Sequence, residues 1–137
     1  SLVLQFRDPS EERLDDMEAI VRQCHAKVSA SSPVQVEMMF DRKNILGQAM
    51  DPLLQGHIAA AAENCLGAEG WQTMHSGAVH DAGMVGKRMP SSMMFVPSIN
   101  GISHNFAEDT DEEDIVNGAH VFAQAAARMV QHAHGIA

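Results

Sequence analysis

The stretch from Ser91 to Val96, SSMMFV, is an uncharged apolar run cut off by Pro97. It constrains the fold more than any other segment. A run of this length fits a strand covered on both faces, as in the parallel part of an α/β sheet. Helical stretches lie on both sides of it in sequence. Asp51-Pro52 opens one, a capping carboxylate followed by proline at the first helical position. Leu54, Ile58, Ala61 and Cys65 give that helix its buried stripe, and Gly67 is its natural stop. Thr110-Asp111-Glu112-Glu113 opens the other as a capping box, with Thr110 as cap and Glu113 reaching back. The predicted buried residues of this last helix are Ile115, Ala119, Phe122, Ala126 and Met129. Trp71 to Met74 reads as a short strand, and a short helical stretch starts near His80.

The first forty residues read as strand, helix, strand. Leu4 and Phe6 alternate with Gln5 and Arg7, giving a half-buried strand over Leu2–Arg7 that Asp8-Pro9-Ser10 breaks. Ser10 can cap a helix whose first turn carries Glu11 and Glu12, both favourable at the positive end of the helix dipole. Leu14, Met17, Val21, Cys24 and Val28 form its apolar stripe, and Ser29 to Pro33 ends it. Val34, Val36, Met38 and Phe40 alternate again as a second strand. Composition shifts near Asp41, so the chain divides into residues 1–40 and 41–137, and the fold class is α/β.

A chain of 137 residues can bury one core, and it is also short enough to be a piece of a larger enzyme. Nine basic against 18 acidic residues give a net charge of −9, which argues against a nucleic-acid partner. No apolar run approaches the ~20 residues that span a bilayer, and Leu2-Val3-Leu4 is too short for a signal-peptide core. Cys24 and Cys65 lack metal-ligand spacing and read as reduced core thiols. These bounds predict a soluble, acidic, cytoplasmic protein without a membrane partner. Methionine pairs such as Met93-Met94 read as adaptable core filling.

Two histidines occupy glycine- and serine-bearing turns that flank the apolar run: His80 in HSGAVHDAG and His104 in NGISHN. Loops just beyond the carboxyl ends of parallel strands are where α/β folds place their chemistry. Neutral imidazole is a good zinc ligand, and Asp81 is available to His80 as an acceptor or to a helix as a cap. On spacing alone, solvated loop histidines are the simpler reading. Two histidines and one aspartate cannot close a four-ligand site, and nothing matches HExxH. His132 and His134, in QHAHG, read as polar residues of a fraying helix end.

The segment Met74–Glu108, MHSGAVHDAGMVGKRMPSSMMFVPSINGISHNFAE, resembles the C-terminal part of the zinc-dependent amidohydrolases. That family includes allantoate amidohydrolase, N-carbamoyl-L-amino-acid hydrolase and β-ureidopropionase, within the aminoacylase-type metallopeptidase superfamily. Its pattern there is SGAGHDA, an apolar strand, then PSxxGISHNPAE. Val79 stands in place of the glycine before the histidine, and Phe106 in place of the proline after HN. LVLQFRDP and the acid-started terminal helix extend the likeness to both ends of the chain.

The resemblance implies a C-terminal part of a metallopeptidase-like α/β catalytic domain over 41–137. A strand–helix–strand piece of a smaller lid or dimerisation domain would precede it. It implies hydrolysis of a non-peptide C–N bond in an N-carbamoyl or ureido acid by metal-activated water, with two zinc or manganese ions per complete site and a homodimeric enzyme. His104 would be a metal ligand. His80 would contact substrate and stabilise developing charge, and Arg7 would grip the substrate carboxylate through its planar fork. A solvated strand-end charge is the competing reading for Arg7. The remaining ligands and the general-base glutamate would lie in an N-terminal part outside this chain, so the isolated chain is expected to be inactive. A zinc aminoacylase or dipeptidase portion and a non-catalytic dimerisation module are the alternatives.

Overall fold

A computed structural model of the chain describes residues 1–39 and 45–135. Phe40, which would end the second expected strand, and the expected boundary at Asp41 lie outside the described residues. The order of elements is α1 (Glu11–Ser31), α2 (Pro52–Leu66), α3 (Asp81–Val85), a 3-10 turn (Ile99–Gly101) and α4 (Glu112–Ala133). They fall into two units. One comprises Ser1–Gln48 with His75–Val79, the other Ala49–Met74 with His80–Ala137.

In the first unit, α1 forms where its local signals place it. The Ser10 side chain accepts the Arg13 N–H at 3.3 Å, and Asp8 in turn accepts the Ser10 N–H at 2.8 Å. Glu11 and Glu12 occupy the first turn, and Arg22 pairs with Glu18 one turn earlier at 2.6 Å. The helix stops where Ser32 N–H closes on Val28 O, just before Pro33. Leu14, Met17 and Val21 are half-buried, whereas Cys24 and Val28 of the same stripe are exposed. α1 buries no residue fully, so Cys24 is a free surface thiol and not the core thiol expected of it.

The second unit is built on α2 and α4. They run antiparallel, since His57 and Asn64 of α2 meet His132 and Gln124 of α4 in reverse order. Asp51 caps α2, accepting the Leu54 N–H at 2.9 Å with Pro52 next, and Gly67 ends it at φ 76°. Ala61 (0 % exposed), Ala62, Val121 (3 %) and Ala125 form the core, with Ile58, Cys65, Leu66, Trp71, Met94 and Met129 around it. Small residues at the crossing let the two backbones come close. Burying a side chain such as Val121 contributes about 1.5–3 kcal/mol. Trp71 lies over the end of α2, its indole N–H on Glu63 at 2.8 Å.

Three further expectations require correction. No strand forms among the described residues, neither at Leu2–Arg7 nor over 34–39, Trp71–Met74 or Ser91–Val96. Alternation fixes which side chains share a face, but a strand exists only where a neighbouring backbone takes up its N–H and C=O groups. The side chains of Leu2, Val3 and Val34 stand exposed.

The stripe of α4 is displaced in part: Met129 packs on the core as expected and Ala126 is half-buried, but the centre of the contact lies elsewhere. Val121 and Ala125 are buried, while Ile115 (54 %) and Phe122 (65 %) are exposed. α4 carries two apolar stripes side by side, and α2 takes the one with the smaller residues. Finally, α4 is capped by Asp111, not Thr110, and the cap makes no side-chain bond. The Thr110 N–H is held by Asp109 at 2.9 Å.

Candidate functional site

The apolar run Ser91–Val96 is anchored by helices. Asp51 N–H donates to Ser91 O at 2.9 Å, and the Ser91 hydroxyl donates to Ala82 O at 2.9 Å, tying the run to the starts of α2 and α3. Further along, Met94 packs on the α2–α4 core, and Val96 lies over Gly118 of α4. A Cβ added at Gly118 would sit 2.5 Å from Val96 Cγ1, so only glycine permits this approach. The run thereby becomes a fixed rail, flanked in sequence by the two histidine turns.

Before the run in sequence, His80 is the N-cap residue of α3, and its carbonyl accepts the Gly83 N–H at 3.0 Å. Its half-buried ring packs against Phe95 with centroids 5.5 Å apart and planes tilted by 58°. Asp81 follows in the first turn of the helix.

After the run, residues 98–109 close into a braced loop. Ile99 N–H donates to Asp109 O at 2.8 Å, and the Ser98 hydroxyl donates to Ile102 O. Asn105 folds its side chain onto the Ala107 N–H at 2.9 Å, and its carbonyl accepts the Glu108 N–H at 3.0 Å. The Glu108 carboxylate accepts the His104 N–H at 2.8 Å. This bond pins His104 in the left-handed region at φ 57°, which costs a non-glycine residue roughly 1–3 kcal/mol. Its imidazole is exposed. The loop thus spends conformational energy to present one ring outward.

Arg7 belongs to the first unit. Its Nη1 donates to Gly77 O at 3.1 Å and its Nη2 to Gln5 at 3.3 Å, and the side chain is exposed. His80 and His104 therefore share a unit, and Arg7 is described apart from them. Two shallow depressions, one around Asp8 and Arg13 and one around Asp51 and Arg88, are lined by neither histidine. Among the described residues no three His, Cys, Asp or Glu side chains gather where they could hold a metal ion. The described residues of this chain do not by themselves complete a metal cage.

Sequence reasoning missed Glu108 and Phe95. Both lay inside the quoted motif: Glu108 is the acid that closes SHNFAE, and its charge faces the His104 backbone. Phe95 reads in the sequence only as part of a covered strand, yet it supplies the surface on which His80 rests. No helix of the described residues is long and apolar enough to cross a membrane.

Residues 11–128 match the model of peptidase family M20/M25/M40. The chain is 32% identical over 119 residues to the allantoate amidohydrolase of Escherichia coli K12, an alignment covering 86% of this chain and 26% of that protein. It is 32% identical over 130 residues to the N-carbamoyl-L-amino-acid amidohydrolase of Rhizobium meliloti, covering 89% and 29%. Among solved structures, an amidase of the hydantoinase/carbamoylase family from Burkholderia phymatum superimposes with a TM-score of 0.78 at 35% identity, covering 89% of this chain and 28% of that one. The chain therefore spans a little over a quarter of the length of these relatives. With a family match that runs from the first turn of α1 almost to the end of α4, the chain belongs to peptidase family M20/M25/M40.

Proposed function

We propose that this chain is one portion of a metal-dependent amidohydrolase that cleaves a non-peptide C–N bond in an N-carbamoyl or ureido acid. The names of the relatives, allantoate and N-carbamoyl-L-amino-acid amidohydrolases, support the substrate class. The observation that carries the reading is His104: an outward imidazole on a left-handed backbone pinned by Glu108. In this reading His104 offers a ring nitrogen to one of two divalent ions, zinc or manganese, and the other ligands come from outside this chain. A divalent ion at such a site lowers the pKa of bound water toward neutrality.

The chain's own residues bind and orient. Arg7 presents a planar fork to the substrate carboxylate. His80, steadied against Phe95, donates to the oxygen on which negative charge develops. Residues 1–40 would form the end of a lid or dimerisation domain and 41–137 the end of the catalytic domain. The apolar run 91–96 and the alternating segments would find strand partners in the rest of a cytoplasmic, homodimeric enzyme. The carbamoyl and ureido class is favoured over an aminoacylase or dipeptidase, because these relatives carry the former names.

Replacing the matching quarter of the Escherichia coli allantoate amidohydrolase with this chain tests the proposal. The chimaera is expected to hydrolyse allantoate or an N-carbamoyl amino acid, and the isolated chain with added zinc or manganese is expected not to. Asn tolerates left-handed backbone, so His104→Asn removes the imidazole and keeps the loop. It should lower kcat/KM by more than about 100-fold and reduce bound metal. Unchanged activity and metal content in that variant would remove His104 from the site, and turnover by the isolated chain would refute its incompleteness.

A further inference from the structure

We propose that His57 of α2 and His132 of α4 form a two-histidine clamp for a borderline divalent cation, separate from the His104 loop. Their rings meet at the α2–α4 contact with centroids 5.3 Å apart and planes at 62°. His57 Nε2 is buried and has no hydrogen-bond partner in the protein, a condition it shares with the Ser92 hydroxyl alone among the described residues. A buried imidazole nitrogen without a partner bears its desolvation cost uncompensated. Edge-on ring packing accounts for the closeness of the two rings, but it gives that lone nitrogen nothing to bind.

A shared ion does. Two imidazole nitrogens about 2.0–2.1 Å from one tetrahedral ion leave their ring centroids roughly 5 Å apart, and the observed spacing matches. Imidazole suits zinc, nickel and copper, whereas magnesium and calcium take oxygen ligands. No third His, Cys, Asp or Glu joins the pair among the described residues, so water completes the ion's coordination and the ion exchanges readily. His132 is exposed and provides the entry side. His134 lies two residues further along, at the C-cap of α4 and well round the helix axis from His132, so it stands outside the clamp. An ion held by both helices would bind the folded pair and not the unfolded chain, tightening the α2–α4 contact by mass action.

The test uses the 137-residue chain carrying His104→Asn, so that the loop contributes no ligand. NiCl2 is titrated calorimetrically and melting is followed with and without the ion. One ion per chain and a raised melting temperature are expected, with MgCl2 having no effect. His132→Gln, an exposed substitution that leaves the core intact, should abolish both responses, as should His57→Gln if it folds. His134→Gln should keep them. Nickel binding that survives His132→Gln, that disappears in His134→Gln, or that is absent from the outset overturns the clamp.

Discussion

α1 and α4 are almost equal in length, 21 and 22 residues, yet they exist for opposite reasons. α1 has a hydroxyl cap, acids in its first turn and an ion pair along its flank, and it buries nothing fully. α4 has a cap without a side-chain bond, and it buries Val121 and Ala125 against α2. Isolated helices of this length are marginal in water, and packing normally supplies most of a helix's stability. The pair therefore shows that local signals can specify a helix that tertiary contact scarcely holds, and that contact can hold a helix whose start is poorly signalled. Amide exchange should be faster across α1 than across α4. Equal protection would erase the distinction.

The largest disruption is expected from Val121→Asp. It places an unpaired charge in the smallest part of the core and should cost about 4 kcal/mol or more, collapsing exchange protection in α2 and α4. Gly118→Ala comes next. Alanine gains about 1 kcal/mol in helix propensity, but its Cβ would meet Val96 Cγ1 at 2.5 Å. The net loss should be about 1–2 kcal/mol, read by chemical denaturation, and a stabilised variant would show that the rail is not seated on α4. Ser10→Ala should be mildest, costing about 1 kcal/mol of helix stability. It should appear as increased exchange in the first turns of α1, and an unchanged profile there would mean that the cap does not hold this helix.

The helices were legible because their starts and stops are local chemistry. Ser10, Asp51-Pro52 and Gly67 each act within a turn of themselves, and the structure uses all three. Of the stripe Leu54, Ile58, Ala61 and Cys65, the last three face the core as read, and Leu54 is half-buried. What failed needed a partner to decide it. Leu2–Arg7 alternates correctly, but no periodicity reveals whether a neighbouring backbone is at hand. α4 is apolar on two adjoining faces, and only its packing partners, α2's alanines and the run with Met94 and Val96, select the one with Gly118, Val121 and Ala125. In the candidate site, both histidine turns could be read from the motif. The brace from Glu108 to the His104 backbone could not, because it depends on a left-handed residue that no pattern of side chains announces.

The second apolar stripe of α4 also governs how this polypeptide behaves as a solute. Ile115 and Phe122 give it a tacky edge, while a net charge of −9 keeps copies apart. Added electrolyte shortens the reach of that repulsion to about 8 Å at 0.15 M and about 3 Å at 1 M, leaving the stickiness untouched. Raising the ionic strength is therefore expected to favour gathering of the purified chain.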